Sequence, residues 1–260
     1  MSLKDIIHTA ISLLKSDLKV DLNSNSLKKD LTSQLIINKN SKIKVGIVAK
    51  DEIMLCGITF IKKFIHSIEP KIKIKQNFKD GELVNKSQVI AELSGNSSNI
   101  LAVERTILNL LQHLSSISTT TYKITRKIKS KKTTILDTRK TITGLRSLQK
   151  YATFIGGAKN HRFGLYDQIL IKDNHIEICG GIEKVLQILK EKKIQNYKIE
   201  CDTYAQVKKC IDYGSQYILL DNMNVGNIKK CMSIKGGDKV IFEITGGINE
   251  KNISLYSRLN

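Results

Sequence analysis

What most constrains this chain is an alternating pattern that begins near residue 133. Five short apolar runs occur: TTILDT (133–138), DQILIKD (167–173), YKIECD (197–202), SQYILLD (215–221) and KVIFEIT (239–245). Segments with helical spacing follow them, over 143–154, 181–193, 203–213, 223–232 and 248–258. Five strand–helix units in series predict a parallel sheet covered by helices. The right-handed crossover rule lets such a series close into a barrel or open into a wound sheet. Each run ends in polar or charged groups: Asp137–Thr138–Arg139–Lys140, Lys172–Asp173–Asn174–His175, Glu200, Asp221 and Thr245–Gly246–Gly247. In a parallel arrangement these ends lie on one rim, and that rim is where barrel enzymes carry their chemistry.

The preceding residues have a different character. Leu3, Ile6, Ile7, Ala10, Ile11, Leu14 and Leu18 recur at helical spacing, with Ser2 and Asp5 suited to cap the helix. Asp5 and Asp17 make this segment an amphipathic helix rather than a signal peptide. Strand-like runs follow at 43–50, 71–76 and 88–93, with a helix at 59–68 and a turn at 80–82. SGNSSN (94–99) reads as a flexible polar break before a long helix from about residue 100 to 128. The expected organisation is an N-terminal α+β domain over 1–110 and an α/β barrel domain over 111–260.

The net charge of +19 raises the question of a polyanion partner. The cations are mostly lysines spread along the chain, Arg occurs six times, and Trp is absent. That distribution favours a solvated lysine surface over a nucleic-acid interface. No run of 18 apolar residues is present, so no membrane span is expected. The five cysteines form no CxxC pair and no zinc-ligand spacing with histidine, which points to reduced thiols in a cytoplasmic protein.

The most distinctive text lies between residues 104 and 175: ERTILNLLQHLSSIST, ILDTRKTITGLRSLQKYA and GGAKNHRFGLYDQILIKDNHI. With IECD, ILLDNM and ITGGI further on, it resembles the quinolinate phosphoribosyltransferases over nearly the whole chain. The residue types suit the substrates independently. Quinolinate carries two adjacent carboxylates, and guanidinium forks grip carboxylates bidentately. Three of the six arginines, Arg105, Arg139 and Arg162, stand inside the shorter words ERT, DTRKT and NHR.

The resemblance implies a quinolinate pocket made of Arg105, Arg139, Lys140, His161, Arg162 and Lys172. Lys140, Lys172, Glu200 and Asp221 would carry the catalysis. Phosphoribosyl pyrophosphate would lie against Glu200, Asp221, Thr245, Gly246 and Gly247, with Mg²⁺ held by Glu200 and Asp221, directly or indirectly. Thr245 stands where the family usually has Ser. Gly246–Gly247 is expected to present a phosphate to the N-terminus of the helix at 248–258. Gly156–Gly157 and Gly180–Gly181 suit helix ends instead. Related chains continue with another strand and a phosphate-contacting loop, so the resemblance implies an open barrel lacking its last strand. It also implies a homodimer in which Arg105 serves the neighbouring subunit's site. Two other readings stand beside this one. One is a paralogous transferase for another aromatic acid, of the molybdenum-transport-associated type. The other is a non-catalytic polyanion-binding protein.

Overall fold

The computed structural model of the chain describes residues 2–128, 130 and 132–259. They divide into two compact units, one of Met1–Arg126 with Thr134–His161, the other of Lys127–Thr133 with Arg162–Asn260.

The first unit opens with helix α1 (Leu3–Leu22), where Ser2 and Asp5 form the expected capping box and Ala10, Leu14 and Leu18 are buried. Then come α2 (Leu31–Ile36), β1 (Lys42–Val48), β2 (Ile53–Met54), α3 (Ile58–Ile68), β3 (Lys73–Gln76), β4 (Leu83–Val84), β5 (Val89–Asn96) and α4 (Ser97–Lys127). Strands β1, β5 and β3 pair antiparallel in that order, and β2 pairs with β4. SGNSSN is not a break. Ser94–Asn96 complete β5, and Ser97 begins α4, with the Asn96 side chain accepting the Asn99 N–H at 3.2 Å. Small polar residues can end a strand and cap a helix without an intervening loop.

Helix α3 is anchored by its apolar face: Ile58, Phe60, Ile61, Phe64 and Ile65 are fully buried. Its start depends on a residue distant in sequence. Asp80 Oδ1 accepts the N–H groups of Gly57 (2.7 Å) and Ile58 (3.0 Å), satisfying donors that the helix itself cannot. Asp80 Oδ2 accepts the Tyr151 hydroxyl at 3.1 Å, from helix α5 (Arg146–Ile155). Burial raises the pKa of the Tyr151 phenol, the Asp80 charge adds to the rise, and Tyr151 therefore stays a donor.

The expected strand at 133–138 is not a ladder strand. Leu136 makes an isolated parallel bridge with Lys159, and Lys159 N–H donates to Ile135 O at 2.9 Å. The run holds two strongly apolar residues, too few to sustain a central strand, and its polar remainder serves the side-chain network described below.

The second unit is the parallel layer: β6 (Ile169–Ile171), α6 (Asp173–Ile178), α7 (Ile182–Glu191), β7 (Tyr197–Cys201), α8 (Tyr204–Asp212), β8 (Tyr217–Asp221), α9 (Val225–Met232), β9 (Ile241–Thr245) and α10 (Ile253–Tyr256). The four strands pair in sequence order, β6-β7-β8-β9, all parallel. Ile199, Cys201, Ile218 and Leu220 are fully buried in one core with Val185, Leu186, Val207, Cys210 and Ile228 of the helices. Strand alternation sends Lys198, Glu200, Asp221 and Glu243 to the opposite face. The helix expected over 248–258 contracts to the four residues of α10. Asn249, Asn252 and Gly247 form a side-chain-capped turn there instead, with Asn252 Nδ2 donating to Gly247 O at 2.9 Å.

The Asp80 arrangement has a measurable consequence. In urea unfolding, Asp80→Ala is expected to lose about 2–3 kcal/mol, a cap and a hydrogen bond together, and Tyr151→Phe about 1 kcal/mol. The double variant is expected to be no less stable than Asp80→Ala alone, because both changes break the same bond. Fully additive losses would contradict the link.

Candidate active site

Asp137 is the centre of the first unit's contribution. Its side chain is 5% exposed and is paired with Lys150 of α5, itself 4% exposed. The same Oδ1 accepts the His161 backbone N–H at 2.8 Å. Oδ2 accepts the Thr153 hydroxyl at 3.3 Å. The Asn160 amide, turned with its nitrogen inward, donates to Oδ2 at 2.7 Å and to Lys150 O at 3.1 Å. One buried carboxylate thus ties DTRK to NHR and to α5.

Beside it opens a cleft of about 300 Å³ whose walls include Asp137, Thr138, Lys140, Thr141, Gln149 and Lys150. The segment between Thr138 and Arg146 is held by its own hydrogen bonds. Thr138 Oγ1 accepts Lys140 N–H (3.0 Å), Gln149 Oε1 accepts Ile142 N–H (2.9 Å), and Arg146 Nε donates to Thr141 Oγ1 (3.3 Å). Arg139, between two cleft-lining residues, keeps its Nε buried with no hydrogen-bond partner. A buried donor left unpaired costs free energy unless a ligand completes it. Lys140 makes no ion pair among the described residues. Arg105 lies exposed on α4 and likewise has no ion pair, so the surface pairing with Glu104 that its position allows is not made.

The second unit carries the other half of the expected set. Ile171 is the register partner of Ile199, which brings Lys172 level with Glu200, and their side chains pair at 3.3 Å. Glu200 is 11% exposed. Burial raises its carboxyl pKa; the Lys172 cation opposes the rise, and the charges of Asp221 and Asp173 add to it. Asp202 is shifted upward by burial and by the same two carboxylates. Asp221 is the register partner of Thr245, so these two of the five expected phosphoribosyl positions are adjacent. Arg162 is engaged in its own loop, donating to Gln168 O at 3.1 Å.

Sequence reasoning passed over two residues here. Lys150, within LQKYA, stands on a helical segment where nothing in the sequence marks it for a role. Asn222 follows Asp221, and its Nδ2 donates to Asp221 Oδ2 at 2.9 Å. Its Oδ1 would lie only 2.1 Å from a Cβ at position 246, so Gly246, at φ +85°, admits no side chain. The helix N-terminus expected beyond Gly247 is absent from this turn. What Thr245–Gly247 offers is close backbone approach, with Gly247 also at positive φ (64°).

Comparison with known proteins identifies the family. Family models described as quinolinate phosphoribosyl transferase, N-terminal domain and C-terminal domain, match residues 30–115 and 117–260. A probable nicotinate-nucleotide pyrophosphorylase [carboxylating] of Methanocaldococcus jannaschii is 39% identical over 96% of this chain and 89% of its own length. Its Bacillus subtilis counterpart is 37% identical over 87% of this chain and 78% of its own length. The solved nicotinate-nucleotide pyrophosphorylase from Francisella tularensis superposes with a TM-score of 0.88 at 33% identity, covering 97% of this chain and 88% of that one. The one from Ehrlichia chaffeensis gives 0.87, also at 33%, covering 100% and 90%. The chain belongs to the quinolinate phosphoribosyl transferase family.

Proposed function

We propose that this chain transfers the phosphoribosyl group of phosphoribosyl pyrophosphate to quinolinate with decarboxylation, a step of NAD biosynthesis. The products are nicotinate mononucleotide, CO₂ and pyrophosphate. The observation that carries this reading beyond family membership is the buried, unpartnered Nε of Arg139, a residue flanked in the chain by Thr138 and Lys140 of the cleft wall. A planar dicarboxylate supplies the acceptor that this donor lacks.

In this reading Arg139, Lys140, His161, Arg162 and Lys172 carry the charge that attracts quinolinate, and Arg105 is supplied by the neighbouring subunit of a homodimer. The pyridine nitrogen attacks the anomeric carbon as the bond to pyrophosphate breaks. Glu200 and Asp221 face the positive charge that develops on the ribose and stabilise it through space. The ring nitrogen, now cationic, draws in the electron pair released when the adjacent carboxylate leaves as CO₂, and the vacated ring carbon takes a proton. Lys140 and Lys172 offset the charge of the departing pyrophosphate. Thr245, Gly246 and Gly247 contact the phosphoribosyl group through hydroxyl and backbone.

Mg²⁺ fits the residues present. Among the described residues no three His, Cys, Asp or Glu side chains converge on one point. Mg²⁺ characteristically takes one or two carboxylates and completes its shell with water and substrate phosphates. Glu200 and Asp221, close enough for the charge of one to raise the pKa of the other, are the pair that would hold it. When bound, it neutralises charge on the diphosphate. All five cysteines are free thiols, and among the described residues no helix is long and apolar enough to cross a membrane. A cytoplasmic location is part of this reading, supported by the free thiols.

The direct assay supplies quinolinate labelled in its 2-carboxylate, phosphoribosyl pyrophosphate and Mg²⁺. Labelled CO₂ and pyrophosphate are expected in equal amounts, and the absence of both would refute the reading. Arg139→Ala is expected to weaken quinolinate binding roughly 10- to 150-fold, the equivalent of one charge-assisted contact, with phosphoribosyl pyrophosphate binding little changed. Calorimetry finding equal losses for both ligands would move Arg139 out of the pocket. Glu200→Gln is expected to lower kcat while quinolinate affinity holds. Mixing inactive Arg105→Ala and Arg139→Ala proteins tests the shared site. Random subunit exchange is expected to restore about a quarter of wild-type activity, since half the dimers then carry one intact site of two. No recovery after demonstrated exchange would assign Arg105 to its own chain.

A further inference from the structure

We infer that Lys150 is a positioning residue for quinolinate recognition, and that it acts by occupying Asp137 so that the neighbouring cations Arg139 and Lys140 stay free for the substrate. The inference rests on the quinolinate reading of the cleft.

Burying a lysine and an aspartate together is not a route to stability. The desolvation of two charges commonly exceeds their attraction, and an apolar pair of similar size serves a core at least as well. Both side chains here are at most 5% exposed. Something other than packing therefore accounts for them, and the surrounding geometry identifies it. Asp137 stands two residues before Arg139 and three before Lys140, on the wall of the cleft. An unsatisfied carboxylate at that place would be an anion two and three residues away in the chain from these cations, and a cation drawn onto it would be lost to a ligand.

Asp137 is instead saturated. A carboxylate has about four acceptor positions, and here they meet the Lys150 ammonium, the His161 N–H, the Thr153 hydroxyl and the Asn160 amide. The consequence is visible next door. Arg139 Nε is buried with no partner, and Lys140 has no ion pair among the described residues. The same contacts fix the backbone of His161 against that of Asp137. Lys150 thereby keeps the charge of the cleft positive and holds its two segments together, without itself touching the ligand.

The test compares wild type, Lys150→Met, Lys150→Arg and the double variant Lys150→Met with Asp137→Asn. Steady-state kinetics are read for both substrates, and crystal structures are read at Arg139 and Lys140. Lys150→Met is expected to raise the quinolinate KM at least tenfold and to leave the phosphoribosyl pyrophosphate KM within about twofold. In its crystal structure, Arg139 or Lys140 is expected to turn onto Asp137. Lys150→Arg is expected to recover much of the quinolinate KM. The double variant, which removes both charges but keeps an acceptor for His161 N–H, is expected to fold and to bind quinolinate better than Lys150→Met alone. It also preserves the test should the single variant fail to fold, because a folded double variant whose quinolinate KM is raised tenfold or more over wild type would overturn the inference. A purely structural role gives a different pattern: a smaller active fraction, unchanged KM values, and Arg139 and Lys140 where they now stand. That outcome also overturns it. If wild type neither binds nor turns over quinolinate, the functional reading fails, and the crystal structures still decide whether Lys150 keeps the two cations off Asp137.

Discussion

A carboxylate buried beside two cations it must not neutralise is the constraint on which the first unit's site depends. Asp137 resolves it by spending its acceptors on Lys150, Thr153, Asn160 and the His161 backbone. Three stretches of sequence are drawn together as a result: the DTRK segment, helix α5 and the NHR segment. The stretch following Asp137 is further pinned by Gln149, one residue before Lys150, through its bond to Ile142 N–H at 2.9 Å. Helix α5 therefore acts on the cleft from two consecutive positions, and Tyr151, the next residue, ties the same helix to Asp80 at the start of α3. The core around α3 and the shape of the cleft are linked through one helix of ten residues.

The second unit solves a different problem by a different means. Its charged row is set by strand register rather than by a buried hub. Parallel pairing aligns Lys172 beside Glu200 and Asp221 beside Thr245, while the alternate residues Ile199, Cys201, Ile218 and Leu220 bury against helices. A slip of one residue in any strand would exchange these faces, so the apolar core enforces the polar row. Burial raises the pKa of Glu200, the Lys172 cation opposes the rise, and the charges of Asp221 and Asp173 add to it.

Much of this was legible in the sequence because it follows from periodicity. Strands β6 to β9 and helices α7 to α9 stand where the alternating runs indicated, and the Ser2–Asp5 capping box formed as its spacing required. The failures have local causes. TTILDT looked like a strand, but Asp137 is held by side chains from α5 and by the NHR segment, and a single bridge is all that remains. The run at 248–258 has helical spacing yet contains two asparagines, Asn249 and Asn252, which fold it into a turn around Gly247. SGNSSN has a loop composition but ends a strand and starts a helix within six residues. Lys150 and Asn222 were invisible for a more general reason. A lysine on a helix reads as surface, and an asparagine after a strand reads as a turn, unless the carboxylate each one serves is already known.

The most direct measurement is a crystal structure of the wild-type protein with quinolinate bound. The account expects a carboxylate oxygen of the ligand about 3 Å from Arg139 Nε, with Lys140 alongside and the Asp137–Lys150 pair unbroken. Quinolinate seated elsewhere, with Arg139 Nε still lacking a partner, would contradict it.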